Sequence, residues 1–220
     1  MTDWAELGQQ LERRYRQGTT RLGETTDPDQ RQRQLTRLGN VASAAGLAFL
    51  MRGELEAAGT WFGWAAERYR ESWGGAPPGS WGRPIGAVKA RVLAGDRPGA
   101  EEAARWALEL GAAGAESAIG RYAAALSLLV LRRDDEARSV AATLRAAEDF
   151  PPAVADALAA IAGADRAGYR VAVEAVLDSF EQREEYLEDM PVADTVLVLQ
   201  ALAARRDVAA SLPGSALLPS

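Results

Sequence analysis

GLAFLMRGELEAAGTWFGWA, residues 46–65, is the stretch on which the fold turns. Upstream of Gly53, Leu35, Leu38, Ala42, Ala45 and Phe49 recur at three- and four-residue steps. Downstream, Leu55, Ala58, Phe62, Ala65 and Tyr69 do the same, so each side reads as a helix with one apolar stripe. Gly53 stands where a left-handed residue ends the first helix. Ala58 and Ala65 are small where the two helices cross, and Phe49 and Phe62 are the bulky residues flanking that approach. Trp61 and Trp64 form a second apolar face, so the later helix is expected to lie between neighbours.

The same periodicity runs through nearly the whole chain, and no stretch alternates with period two. Helices are expected over about 3–22, 28–52, 54–73, 84–94, 98–110, 118–131, 134–147, 152–163 and 165–187, and again from Pro191. Asp27-Pro28 is a cap followed by a first-turn proline, with Gln30 placed to reach back as in a capping box. The expectation is an all-α single domain over residues 1–220 with about ten helices, ending in a fraying tail at 212–220.

Composition narrows the chemistry. The 220 residues contain no cysteine and no histidine. That removes disulfides, thiolate nucleophiles, His-based triads and HExxH zinc sites, leaving carboxylate, Lys, Tyr, Ser/Thr or Arg chemistry. Lys89 is the sole lysine. The net charge of −6 argues against nucleic acid as a partner. Residues 12–37 are rich in arginine but interleaved with Glu and Asp, as on a solvated helix face. The longest apolar run, 122–131, is about half of what a bilayer span needs, and residues 1–10 lack the pattern of a signal peptide. A cytoplasmic protein without membrane contact or cofactor is expected.

One interruption is unusual. Residues 71–86, ESWGGAPPGSWGRPIG, hold two tryptophans and three prolines, and 74–83 reads as a rigid Trp/Pro loop. Trp73, Trp81 and Arg83 form either an aromatic, cationic binding edge or a plug for the helical stack.

The hairpin at 46–65 resembles the tetratricopeptide repeat: Gly46, Phe49, Gly53, Ala58, Phe62 and Ala65 stand at that family's signature positions. The closing proline is replaced by Arg70. Further hairpins are placed by Gly95, Ala100 and Ala107, by Leu128 and Ala137, and by Gly163, Gly168 and Ala175. The crossing residues Ala58, Ala100, Ala137 and Gly168 lie 42, 37 and 31 residues apart. The resemblance implies an irregular α-solenoid of stacked antiparallel hairpins that closes on itself. Its concave side would show Asn40, Ser43, Leu47, Ile85, Lys89, Tyr122 and Leu126, with Arg121 beside Lys89 and Tyr122. It does not reproduce the Lys/Asn clamp of that family's chaperone-tail binders.

The helix order and aromatic placement of the C-terminal half, from DRAGYRVAVEAVLDSF at 165–180 to the terminal LLP at 217–219, are similar to the immunity protein 49 family. Those are helical proteins inferred to neutralise a cognate toxin.

The main functional expectation is a non-enzymatic scaffold that binds a protein or peptide through its concave face and the Trp/Pro loop. Trp73, Trp81, Arg83, Lys89, Arg121 and Tyr122 are its candidate contacts. A toxin-immunity protein is the alternative. A further alternative is an enzyme using carboxylates or Lys89, with a pocket formed by Glu71, Lys89, Arg121 and Tyr122. The acidic run Glu181, Glu184, Glu185, Glu188 and Asp189, the first four on one helical face, is expected as solvated charge rather than a metal site.

Overall fold

The computed structural model describes residues 2–219; Met1 and Ser220, the ends of the expected 1–220 domain, lie outside them. Ten α-helices occupy the described residues, with no strand. They are α1 (Trp4–Glu24), α2 (Pro28–Met51), α3 (Leu55–Ser72), α4 (Gly82–Leu93), α5 (Arg97–Glu109), α6 (Ala118–Val130), α7 (Asp134–Arg145), α8 (Pro152–Ala162), α9 (Arg166–Glu181) and α10 (Asp194–Ala204). Each helix from α1 to α9 packs on the next, as stacked antiparallel hairpins require. The inner layer is α2, α4, α6 and α8, which also touch in sequence; α10 then turns back across α8, α9 and α4.

One turn geometry recurs in all four hairpins. The amides of Glu54, Asp96, Arg133 and Asp165 each donate to a carbonyl five residues back, on Phe49, Arg91, Leu128 and Ala160. The residue before each donor is left-handed: Gly53, Gly95, Arg132 and Ala164 have φ of 75°, 69°, 62° and 52°. This is the six-to-one closure that satisfies orphan carbonyls at a helix end. The fourth turn therefore pivots on Ala164, not on Gly163, which keeps helical backbone with φ of −85°.

Counted from these turns, the equivalent crossing positions are Ala58, Ala100, Ala137 and Tyr169, each donating its amide to the carbonyl four residues back at 2.9–3.0 Å. The three alanines are buried as expected. The fourth expected crossing residue, Gly168, instead lies one step earlier, where its amide takes the Asp165 cap at 3.0 Å. Tyr169 fills the slot, fully buried, and its hydroxyl reaches Gln200 of α10 at 2.9 Å. A large residue is tolerated there because α10 has folded over that end.

Helix crossings in the first half depend on aromatic rings set against glycine. A Cβ built on Gly46 would lie 2.7 Å from the Phe62 ring. Tyr69 of α3 is held between two such positions: a Cβ on Gly39 of α2 would come within 2.9 Å of its ring, and one on Gly86 of α4 within 2.6 Å. Its hydroxyl donates to Asn40 Oδ1 at 3.0 Å, so the ring has a fixed depth as well as two walls. The second apolar face of α3 packs on α1, where Tyr15 stacks on Trp64 and meets Trp61 edge-on.

Several local expectations change. Leu55 is exposed rather than part of the buried stripe. Asp27 does cap α2, accepting from the Gln30 amide at 2.7 Å. The ninth helix stops at Glu181 instead of reaching 187, and residues 182–193 cross to α10 through a 3-10 turn, Leu187–Asp189. Glu188 and Asp189 are both left-handed there. The described part of the tail makes contacts with the rest of the chain. The Ala193 amide donates to Leu217 O at 3.0 Å, Ser215 Oγ donates to Glu181 Oε1 at 2.6 Å, and Leu217 and Leu218 pack on the core.

Gly86→Ala should lower stability by about 1–3 kcal/mol in urea denaturation, since Tyr69 has no free side to move to. Gly59→Ala, where the nearest atom is 3.9 Å away, should gain up to about 1 kcal/mol from helix propensity. Equal effects at the two sites would contradict the ring-between-glycines account. Ala164→Gly should stabilise by about 0.5–1 kcal/mol, read as a raised urea midpoint at constant slope, by removing the left-handed cost of a Cβ.

Candidate functional site

The fold leaves an open cavity of about 450 Å³ on the inner layer, between α2, α4 and the chain around Leu187 and Asp194. One wall is α2, which supplies Thr36, Asn40 and Ser43 from successive turns of one face. The opposite wall is the first half of α4, with Gly82, Arg83, Ile85, Gly86 and Lys89. Tyr69 lines it from α3, and Ser80 from the end of the Trp/Pro loop. A smaller cleft continues along Asn40, Ser43, Leu47, Arg183 and Tyr186.

The polar lining is partly committed. Asn40 spends its Oδ1 on Tyr69, which leaves its amide N–H groups as donors at the wall. Burial pushes the Tyr69 phenol well above its ordinary range, and the charges of Asp194 and Glu188 add to this, so Tyr69 remains a neutral donor. Lys89 Nζ donates to Asp194 Oδ2 and, at 3.2 Å, to Thr195 Oγ1. Burial alone would lower the Lys89 pKa; the Asp194 carboxylate, with Tyr122, outweighs it, and the net direction is upward. Lys89 is therefore held as an ammonium, the opposite of what an amine nucleophile needs.

Of the residues expected on the concave side, Asn40, Ser43, Ile85 and Lys89 line the main cavity and Leu47 the smaller cleft. Tyr122 and Leu126 are buried beneath it. Tyr122 packs its ring on Phe150 at 5.4 Å, and its hydroxyl has no hydrogen-bond partner among the described residues. Arg121 Nε is likewise buried without a partner. The Glu71, Lys89, Arg121, Tyr122 pocket does not form: Glu71 pairs with Arg68, and only Lys89 of the four faces the cavity.

Trp73 and Trp81 are half-buried and lie against each other, centroids 5.8 Å apart, with Trp106 of α5 at 6.1 Å from Trp73. Trp81 also abuts α6, where a Cβ on Gly120 would be 2.8 Å from its Nε1. The rings thus seal the joint between α3, α5 and α6. Arg83 turns inward, 7% exposed, and bonds to Ser72 O and Gln32 Oε1.

The acidic run is dispersed because α9 ends early. Glu188 pairs with Arg14 and Glu181 with Ser215, so the expected single helical face is absent. Among the described residues no three acidic, His or Cys side chains gather as a metal set, and no helix is long and apolar enough to cross a membrane. Asp194 and Leu187 were beyond sequence reasoning, since Asp194 meets Lys89 across 105 residues. Gly86, a glycine inside a short helix, was the one available sign that a ring approaches α4 there.

No protein-family model, curated protein or solved structure matches the chain.

Asp194→Asn should cost about 1–3 kcal/mol near neutral pH by leaving Lys89 without a counter-charge, and the Lys89→Met/Asp194→Asn double variant should recover part of that. The raised Lys89 pKa fixes the sign of the pH effect. The stability difference between wild type and Asp194→Asn should be full near neutral pH and shrink as pH rises through the lysine range, starting below the ordinary value of about 10.4 because Lys89 without Asp194 keeps only the burial that lowers its pKa. A difference that grows with alkaline pH would refute the assignment.

Proposed function

We propose that the protein is a non-enzymatic helical-repeat module that takes a short segment of a partner protein into the groove between α2 and α4. The supporting observation is the lining of that groove. Asn40 and Ser43 offer hydrogen-bond donors at one-turn spacing, Tyr69, Ile85 and Leu187 offer apolar surface, and residues 80–83 close one end. Alternating polar and apolar contacts on a rigid wall suit an extended or helical segment, whose backbone needs donors and whose side chains need pockets. The Trp/Pro loop contributes through Ser80, Gly82 and Arg83, while its tryptophans hold it in place against α5 and α6.

The chain itself supplies a precedent for this use of the inner layer. The segment 187–194 already lies along α2 and α4, anchored by the Lys89–Asp194 and Arg14–Glu188 pairs. A partner segment would extend the same strip of contacts into the adjoining open volume.

Selection of a displayed random-peptide library on the wild type, with a Ser43→Trp variant as counter-target, tests the reading. Ser43→Trp fills the groove from a half-buried position without entering the core. Enriched peptides should bind wild type at least about tenfold tighter than the variant, a loss of roughly 1.4 kcal/mol, by fluorescence polarisation. Peptides that bind both proteins equally, or no enrichment at all, would remove the groove as the binding surface.

A further inference from the structure

The chain carries a net charge of −6, yet the lining of its groove is positive. The main cavity and the cleft that continues it share Asn40, Ser43, Leu187 and Asp194. Together they are lined by three cations, Arg83, Lys89 and Arg183, and by a single carboxylate, Asp194, which leaves an excess of two positive charges. Asp194 is engaged through both oxygens: Oδ2 accepts from Lys89, and Oδ1 from Thr195 at 3.3 Å. Arg83 is turned inward and bonded to Ser72 and Gln32. The cation left over is Arg183.

Arg183 is held in place without being neutralised. Its guanidinium carbon lies 3.6 Å from the centre of the Phe180 ring, which is itself buried. Stacking of this kind fixes the guanidinium while its N–H groups remain available to an acceptor. The acids nearest the cleft are committed elsewhere, Glu188 to Arg14 and Asp194 to Lys89, and Arg183 enters no ion pair or side-chain hydrogen bond among the described residues. Its chain neighbours Glu184 and Glu185 are exposed and line neither cavity. Burial and, by a smaller amount, the charge of Arg183 oppose the Lys89 ammonium, so the two cations act on the same end of the groove. Asn40 and Ser43 line this cleft from α2, and the Asn40 amide N–H groups are left as donors once its Oδ1 has accepted from Tyr69. Donors and positive charge are both in surplus here, and a carboxylate supplies what is missing from each.

We infer that the segment taken by the groove is acidic, and that Arg183, with the Asn40 amide, receives one of its carboxylates. This deepens the partner-segment reading and rests on it: that reading supplies the groove, and the unpaired guanidinium supplies the chemistry of what enters. A carboxylate beside Arg183 brings the lining closer to neutrality and gives the stacked guanidinium a two-point contact.

The displayed-peptide selection tests this when its output is sequenced and its best peptides are measured on both wild type and Arg183→Gln. Arg183 is exposed, so Arg183→Gln should keep the wild-type fold and melting temperature. Peptides enriched on the wild type and lost on Ser43→Trp should be richer in Asp and Glu than the input library. Replacing the acidic residues of the best peptide with Asn or Gln should weaken its binding to wild type about tenfold, and to Arg183→Gln by less than about threefold. The peptide exchange leaves the protein unaltered, so this outcome does not depend on how the variant folds. Neutral or basic peptides that still require the groove would overturn the inference and leave the groove reading standing. Acidic peptides that bind wild type and Arg183→Gln equally would do the same. Absence of any enrichment on the wild type would remove both.

Discussion

Tyr69 sets the distance at which the first two hairpins meet. Its ring lies between Gly39 and Gly86, and neither glycine can gain a methyl group without striking it. Because α2 and α4 both rest on one rigid plate, their separation is fixed by the thickness of an aromatic ring rather than by flexible aliphatic chains. That separation is also the width of the cavity, whose walls are the continuations of the same two helices. The hydroxyl of Tyr69 adds a polar constraint, orienting Asn40 so that its donors face the open volume. Core packing and groove geometry are therefore one problem solved by one residue.

The hairpin architecture was readable because its signals are local. Turn glycines, capping aspartates and three-four apolar spacing all act within a few residues, and Gly53, Gly95, Asp27 and Asp165 behave as their chemistry dictates. Reading failed where a local signal was outweighed by contacts distant in sequence. The acidic stretch after Glu181 has helix-forming residues, yet the chain leaves the helix there, and Glu188 pairs with Arg14 of α1. Gly168 looked like a crossing residue by type, but register is set by the turn, and the turn pivots one residue later than the glycine suggests.

The candidate site was half legible for the same reason. Asn40, Ser43, Ile85 and Lys89 follow from helix periphery alone once the hairpin stacking is known. What lies opposite them does not. Asp194 and Leu187 arrive from the far end of the chain, and no spacing rule connects them to Lys89. Arg83 shows the opposite error: beside two tryptophans in a loop it reads as a surface contact, whereas Gln32 and the buried carbonyl of Ser72 at the end of α3 draw its guanidinium inward. Residue type announced a cation at the site, and tertiary hydrogen bonding decided which way it faces.

The return of α10 over the inner layer changes what kind of array this is. Linear solenoids behave as chains of nearly independent units, in which an added or deleted repeat alters length and little else. Here Arg206, 9% exposed, fastens the end of α10 to Asp134 and to the Leu129 carbonyl, while Asp194 fastens its beginning to Lys89. The last helix is thus clasped to the second and third hairpins at once. Inserting another unit would carry those two anchor points out of reach of one eleven-residue rod. The number of hairpins is locked by the clasp, and the molecule must gain or lose its order as a whole.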